Sequence, residues 1–190
     1  MIREEPSPLG QKENDMKIEA KDAHIKHIVN AASAMMAAAR TAPKANGMDN
    51  LECFALSGEE KSALTAKMRE VAAITREDFI ARDADNVDGV PMIVLFGTKN
   101  APYGVNCGYC GKESCAAAVE SGAMCFFAAH DLGLAVGSAV SVAADMRVDN
   151  RVMYSAGVAA KLLGLFEGDV TAAVGVPLSV SEKSPFFDRG

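Results

Sequence analysis

The sequence predicts an α+β domain. Apolar residues recur at helical steps near the start of the chain and again past its middle. The run PMIVLFG at Pro91–Gly97 reads as a strand buried on both faces. The remaining strand-like segments are separated by helices and are too few for a wound parallel sheet, which leaves the α+β class. A chain of 190 residues is most simply one domain, large enough to cover most of its own apolar surface.

Taken in order, residues 1–15 contain two prolines and little that is apolar, so they form a leader outside a single domain at 16–190. From Asp15 to Arg40, the residues Ile18, Ile25, Ile28, Val29, Ala32, Met35, Met36 and Ala39 mark one helix face. Asp15 is its candidate N-cap, and Pro43 stops it. Leu51–Ser57 reads as a short strand ended by Gly58, and Glu59–Ile74 as a helix with a charged outer face. Asp78–Arg82 adds a turn or two. Pro91–Gly97 is the clearest strand, and the glycines and proline of Lys99–Gly111 make a loop.

A long helix is expected over Cys115–Asp145, with a break near Gly122. Its Ala135, Gly137, Ser138, Ala139 and Ala143 leave room for a second backbone, which points to a helix contact between subunits. Arg151–Tyr154 reads as a short strand, Val158–Leu163 as a helix and Thr171–Pro177 as the last strand.

Charge and hydropathy remove several function classes. A net charge of −6 argues against nucleic acid as the main partner, because phosphate contacts need a basic surface. Met1–Lys21 carries Glu4, Glu5, Glu13, Asp15 and Glu19, where a secretory signal needs a continuous apolar core. His130, Asp131 and Asp145 interrupt the apolar stretch Gly122–Val148, so a buried helix is expected there and no membrane insertion. A cytoplasmic location follows, and there thiols stay reduced.

The five cysteines therefore need a use other than disulfides. Four of them, Cys107, Cys110, Cys115 and Cys125, are spaced C-x2-C-x4-C-x9-C. Two cysteines two residues apart can turn both sulfurs to one centre, and flanking glycines let the backbone fold around it. A third ligand at the mouth of a helix and a fourth further along it complete a four-thiolate cage, which suits an iron–sulfur cluster or zinc. Zinc ribbons more often use two C-x2-C knuckles, and here there is one. Unligated thiols and a redox pair of Cys107 with Cys110 are the other readings. Cys53 reads as a small buried hydrophobe.

The phrase CGYCGKESCAAAVESG resembles the four-cysteine segment of small [4Fe–4S] domains, although their fourth cysteine comes later and precedes a proline. The stretches ARTAPKANGMDNLE, FIARDADNV, NCGYCGKESCA and PLSVSEKSPFFDR resemble a family of ferredoxin-domain-containing proteins of bacteria and archaea. That likeness implies electron transfer through a cluster on the four cysteines, to a redox partner the sequence does not name.

A more remote resemblance is to the nitroreductase-like fold of flavoenzymes. Ala39–Asn46 looks like that fold's helix end before its first strand, and the helix from Asp131 like its central dimer helix. The likeness implies a small, mostly antiparallel sheet, a homodimer, and FMN held near Arg40, Lys44, Asn46, Ser155, Ala156, Gly157 and Arg189. An N-terminal arginine pair that anchors the flavin phosphate in that fold has no counterpart here, and Lys44 replaces a serine.

Other residues have plainer readings. His24 and His27 lie among lysines and look like surface positions, and Arg82, Asp83 and Asp85 read as a solvated loop or a subunit contact. Tyr103 and Tyr109 flank the cysteine loop, where they could shield a cluster. His130 beside Asp131 suggests a proton shuttle, but neighbours on a helix point apart, which favours a packed histidine.

Overall fold

A computed structural model describes residues 17–187. The expected leader, the Asp15 cap and Arg189 lie outside them. The elements run α1 (Ala20–Thr41), β1 (Leu51–Ser57), α2 (Gly58–Thr75), α3 (Asp78–Asp88), β2 (Met92–Lys99), α4 (Cys115–Glu120), α5 (Phe126–Asp145), β3 (Asp149–Asn150), α6 (Tyr154–Leu162) and β4 (Val170–Ser179).

The four strands form one antiparallel sheet in the order β1-β2-β4-β3. Successive side chains of a strand point to opposite faces. Val94 and Phe96 of β2 join α1 and α5 in one core, and Ile93 and Leu95 join α2, α3 and α6 in another. All four are fully buried. A strand clamped between two helical layers has no wet face, so its sequence is continuously apolar. Each such side chain contributes roughly 1.5–3 kcal/mol through burial.

The helix expected over Cys115–Asp145 is broken near Gly122, as expected, into two helices. Gly122 takes φ +65°, the Ala123 N–H bonds to the Ala118 carbonyl at 2.9 Å, and the Gly122 N–H bonds to Val119 at 3.0 Å. That pairing ends α4 with a left-handed glycine and swings the chain, so that α5 begins after Cys125. On length and composition α5 could cross a membrane, with a mean hydropathy of 1.4. Here one face of it packs on α1 and the sheet, burying Ala128, Asp131, Leu132, Ala135, Val136, Ala139 and Ala143.

The close approach expected of α5's small residues is made largely inside the chain. Ala135, Ala139 and Ala143 sit in the core with α1, and the Ser138 hydroxyl donates to the Ala38 carbonyl at 3.1 Å. Gly137 and Gly133 face open space instead.

Other expectations shift in instructive ways. The turn at Asp78–Arg82 is the start of an eleven-residue helix, α3. Asp83 is buried on it rather than in a solvated loop, accepting from the Ser155 hydroxyl at 2.7 Å, while Asp85 pairs with Arg69 at 2.8 Å. The strand expected at Arg151–Tyr154 is a single bridge from Met153 to Gly175, and β3 lies just before it. Lys61, in the helix expected to carry a charged outer face, is buried and donates to the Val87 and Asp88 carbonyls at the end of α3. His27 is no surface residue either, since its Nε2 lies 2.7 Å from the Met146 carbonyl and ties α1 to the end of α5.

Candidate functional site

The long loop after β2 turns repeatedly through left-handed backbone. Gly104, Gly108 and Gly111 have φ of 77°, 75° and 75°, and Asn106 has 47°. A side chain is strained at such angles, so the glycines are what let the loop curl back on itself. The result is a pocket lined by all four cysteines of the spaced set, Cys107, Cys110, Cys115 and Cys125, closed by Tyr103 and Phe127. All four thiols are free. Cys107 is exposed, Cys110 and Cys115 are half-buried, and Cys125 is buried.

Cys115 opens α4, as the spacing suggested, but Cys125 is the N-cap of α5 rather than a later residue of the same helix. Ser114 caps α4, its Oγ accepting from the Ala117 N–H at 3.1 Å. Two asparagines fix the cysteine backbone. Asn106 Oδ1 accepts from the Cys115 N–H at 2.8 Å. Asn100 Oδ1 accepts from the Cys125 N–H at 2.8 Å, and its Nδ2 donates to the Ala123 carbonyl at 2.9 Å. Sequence reasoning missed both, because asparagine in a glycine-rich loop reads first as a turn residue.

Aromatic rings gather on one side of the pocket. Tyr109 meets Phe126 edge-on at 5.3 Å between centroids, Phe126 stacks on His130 at 5.7 Å, and Tyr103 meets Phe127 at 6.2 Å. Tyr109 is 68% exposed, so it forms a rim rather than a shield. Tyr103 is the more enclosed of the two tyrosines. Its hydroxyl donates to Asp131 Oδ2 at 2.8 Å, and the Ala45 N–H donates to the same oxygen at 3.0 Å. Burial and then the Asp131 carboxylate push the Tyr103 phenol up to about 12. His130 Nδ1 lies 3.2 Å from Asp131 Oδ1, so these neighbours do meet despite their adjacency on the helix.

A family model described as "uncharacterized protein containing a ferredoxin domain" (DUF2148) matches residues 121–189, a span that includes Cys125. A protein of Archaeoglobus fulgidus, itself described as uncharacterized, is 43% identical over 183 residues, covering 92% of this chain and 98% of that one. This chain belongs to that ferredoxin-domain family. Among solved structures, the ferredoxin-domain protein shares its fold with an FMN-dependent nitroreductase from Mycobacterium smegmatis. That match has a TM-score of 0.58 at 10% identity and covers 83% of this chain and 81% of the other. A nitroreductase with bound FMN from Desulfitobacterium hafniense matches at 0.56 and 15% identity, covering 81% and 78%. A BluB-like flavoprotein from Clostridium difficile matches at 0.53 and 16% identity, covering 89% and 84%. The fold is nitroreductase-like, as the sequence led us to expect.

The side chains expected around a flavin in this ferredoxin-domain protein have other partners. Lys44 Nζ donates to the Ala39, Arg40 and Ala42 carbonyls at 2.7, 2.9 and 2.9 Å, closing the end of α1. Arg40 pairs with Asp49 at 2.5 Å and donates to the Leu51 carbonyl, and that hydrogen bond to Asp49 holds its guanidinium above its usual range. Asn46 takes φ 56° in a short 3-10 turn, and its Nδ2 reaches the Met48 sulfur at 3.8 Å.

The resemblance to the flavoenzyme fold put Ser155, Ala156 and Gly157 near the flavin. They form the first turn of α6, facing the core, and all three are buried. A β-carbon on Gly157 would collide with the Ala173 carbonyl, so this glycine lets α6 lie directly on β4. Arg40, Lys44 and Ser155 are thus engaged within the chain, and Gly157 packs α6 on β4.

The cysteine set is a better match to its expected group. Among the described residues no three cysteine, histidine or carboxylate groups converge on one point closely enough to hold a single ion. The four thiols surround a pocket instead. A four-iron cluster takes one thiolate per iron around its volume, whereas zinc needs its sulfurs about 2.3 Å from a single centre. By kind the donors suit a thiolate-held metal centre, and all four line one pocket.

Proposed function

We propose that this ferredoxin-domain protein carries an iron–sulfur cluster of the [4Fe–4S] type on Cys107, Cys110, Cys115 and Cys125 and passes single electrons. The observation that carries the reading is the convergence of four free thiols on one pocket. The family's description as ferredoxin-containing supports a redox role in general, over a match that takes in Cys125 but not the other three cysteines. A bound cluster supplies one-electron chemistry, with a potential set by burial and by hydrogen bonds to sulfur. The chain supplies the cage: glycine turns bring the thiols round, Phe127 and Tyr103 close one side, and exposed Cys107 keeps the centre near the surface, where a redox partner can reach it.

The same proposal includes a homodimer in the cytoplasm, formed through the open face of α5. Gly133 and Gly137 leave room there beside the exposed Phe126 and Leu134. Sedimentation as a monomer at micromolar concentration would remove the dimer from the account.

FMN bound at the α1 end is the second reading. It is favoured by the FMN-containing nitroreductases that share the fold rather than by this chain's own side chains. Structural zinc on the same four cysteines is the non-catalytic rival.

Dithionite reduction under argon separates these readings. A cluster gives a broad visible band that bleaches and a paramagnetic signal at low temperature. Yellow protein that releases free FMN on denaturation supports the second reading, and colourless zinc protein sinks both.

A further inference from the structure

The two cysteines at helix starts have their backbone amides taken by side chains. The Cys115 N–H donates to Asn106 Oδ1 and the Cys125 N–H to Asn100 Oδ1, both at 2.8 Å. Asn100 follows the end of β2, and Asn106 immediately precedes Cys107. The pair therefore brackets the loop that leads into the cysteine set and ties each end of it to a different helix start. Asn100 is held by its other end as well, donating to the Ala123 carbonyl at 2.9 Å, so its amide plane is fixed on both sides. Asn106 reaches Cys115 from a left-handed backbone at φ 47°, a conformation asparagine tolerates better than most residues.

We infer that Asn100 and Asn106 are positioning residues of the cysteine pocket that keep two cysteine amides off the sulfurs of a bound cluster. The inference rests on the iron–sulfur reading. Amide N–H groups at helix starts are ready donors to an anionic centre. Donation to sulfur favours the reduced, more negative cluster and raises its potential. By accepting these two hydrogens, the asparagines hold the potential below what free amides would give. They also fix where the Cys115 and Cys125 thiols point before any metal arrives.

The test compares four variants of the full chain, Asn100→Ala, Asn106→Ala, Asn100→Asp and Asn106→Asp, with wild type. Metal-free protein is followed first by residue-resolved amide exchange. The chains are then loaded anaerobically with ferrous iron and sulfide and titrated for potential.

The alanine variants should lose protection at the amide of Cys125 or Cys115, release iron to a chelator about tenfold faster, and show a raised potential. Asn106→Asp keeps its acceptor oxygen, so it should retain the cluster while the added charge lowers its potential. Asn100→Asp lowers the potential likewise but loses the bond to the Ala123 carbonyl and loads less iron. Shifts of opposite sign support positioning, since a purely structural role weakens loading without moving the potential both ways. Wild-type potentials in all four variants, or unchanged exchange at the two amides, overturn the inference. Wild-type protein that takes up no iron or sulfide overturns the redox reading instead, and the exchange data on metal-free protein still decide whether the clamp exists.

Discussion

The cysteine pocket and the end of α1 both gather polar side chains that sequence marks for ligand binding, and they differ in what those groups are doing. In the pocket the four thiols are free, while the nearby backbone is held by Asn100, Asn106 and Ser114. At the end of α1 the functional-looking groups are the ones already engaged: Lys44 closes three carbonyls and Arg40 is paired with Asp49. Ser155 is likewise committed, to buried Asp83. A binding site needs reactive groups that the scaffold positions without consuming them, and in this chain only the cysteine pocket shows that division among the regions compared.

The largest effect that sharpens the contrast is at the thiols. Cys110→Ser should abolish iron retention, measured per chain after anaerobic loading, while costing under about 1 kcal/mol in the metal-free protein because the residue is only half-buried. Next comes Gly157→Ala, which puts a methyl group into the Ala173 carbonyl and should cost about 3 kcal/mol in urea denaturation. A neutral result would mean that α6 can lift off β4, leaving space where the fold's relatives inspired a flavin expectation.

Lys44→Met is expected to cost about 1 kcal/mol, the net value of the carbonyl contacts it loses. Unchanged stability with lost FMN uptake would break the comparison by making the α1 end a site. The smallest effect concerns pH. The Tyr103 phenol is held up at about 12 in the folded chain, against about 10 when unfolded. Its contribution to stability is complete below pH 10 and is lost as pH rises through 12. Tyr103→Phe should flatten that part of the alkaline unfolding profile and lower stability at neutral pH, where the hydrogen bond to Asp131 is intact.

The fold was legible where a single periodicity governs a segment. The two-faced burial of β2 follows directly from residue order, and β1 falls at Leu51–Ser57 as expected. The α1 stripe holds only in part: Ile28, Ala32, Met35 and Ala39 are buried, but Ile18, Ile25 and Val29 are exposed. Legibility failed where tertiary contact changes a residue's meaning. Gly157, put near a flavin by resemblance, is a packing residue, Lys61, in a helix read as charged on its outer face, closes α3, and Asp83 looks like a surface charge and is the buried partner of Ser155.

At the candidate site, cysteine spacing pointed to one centre because thiolate chemistry demands clustered ligands. The split of α4 from α5 depended on one left-handed glycine, Gly122. The asparagine clamps carried no pattern at all, since their partners lie nine and twenty-five residues away.

The central claim is tested most directly by iron, sulfide, zinc and flavin analysis of protein purified without air. The account predicts about four irons and four sulfides per chain, with zinc and flavin well below one. Zinc at one per chain without sulfide would contradict it, and would turn the cysteine pocket into a structural clasp.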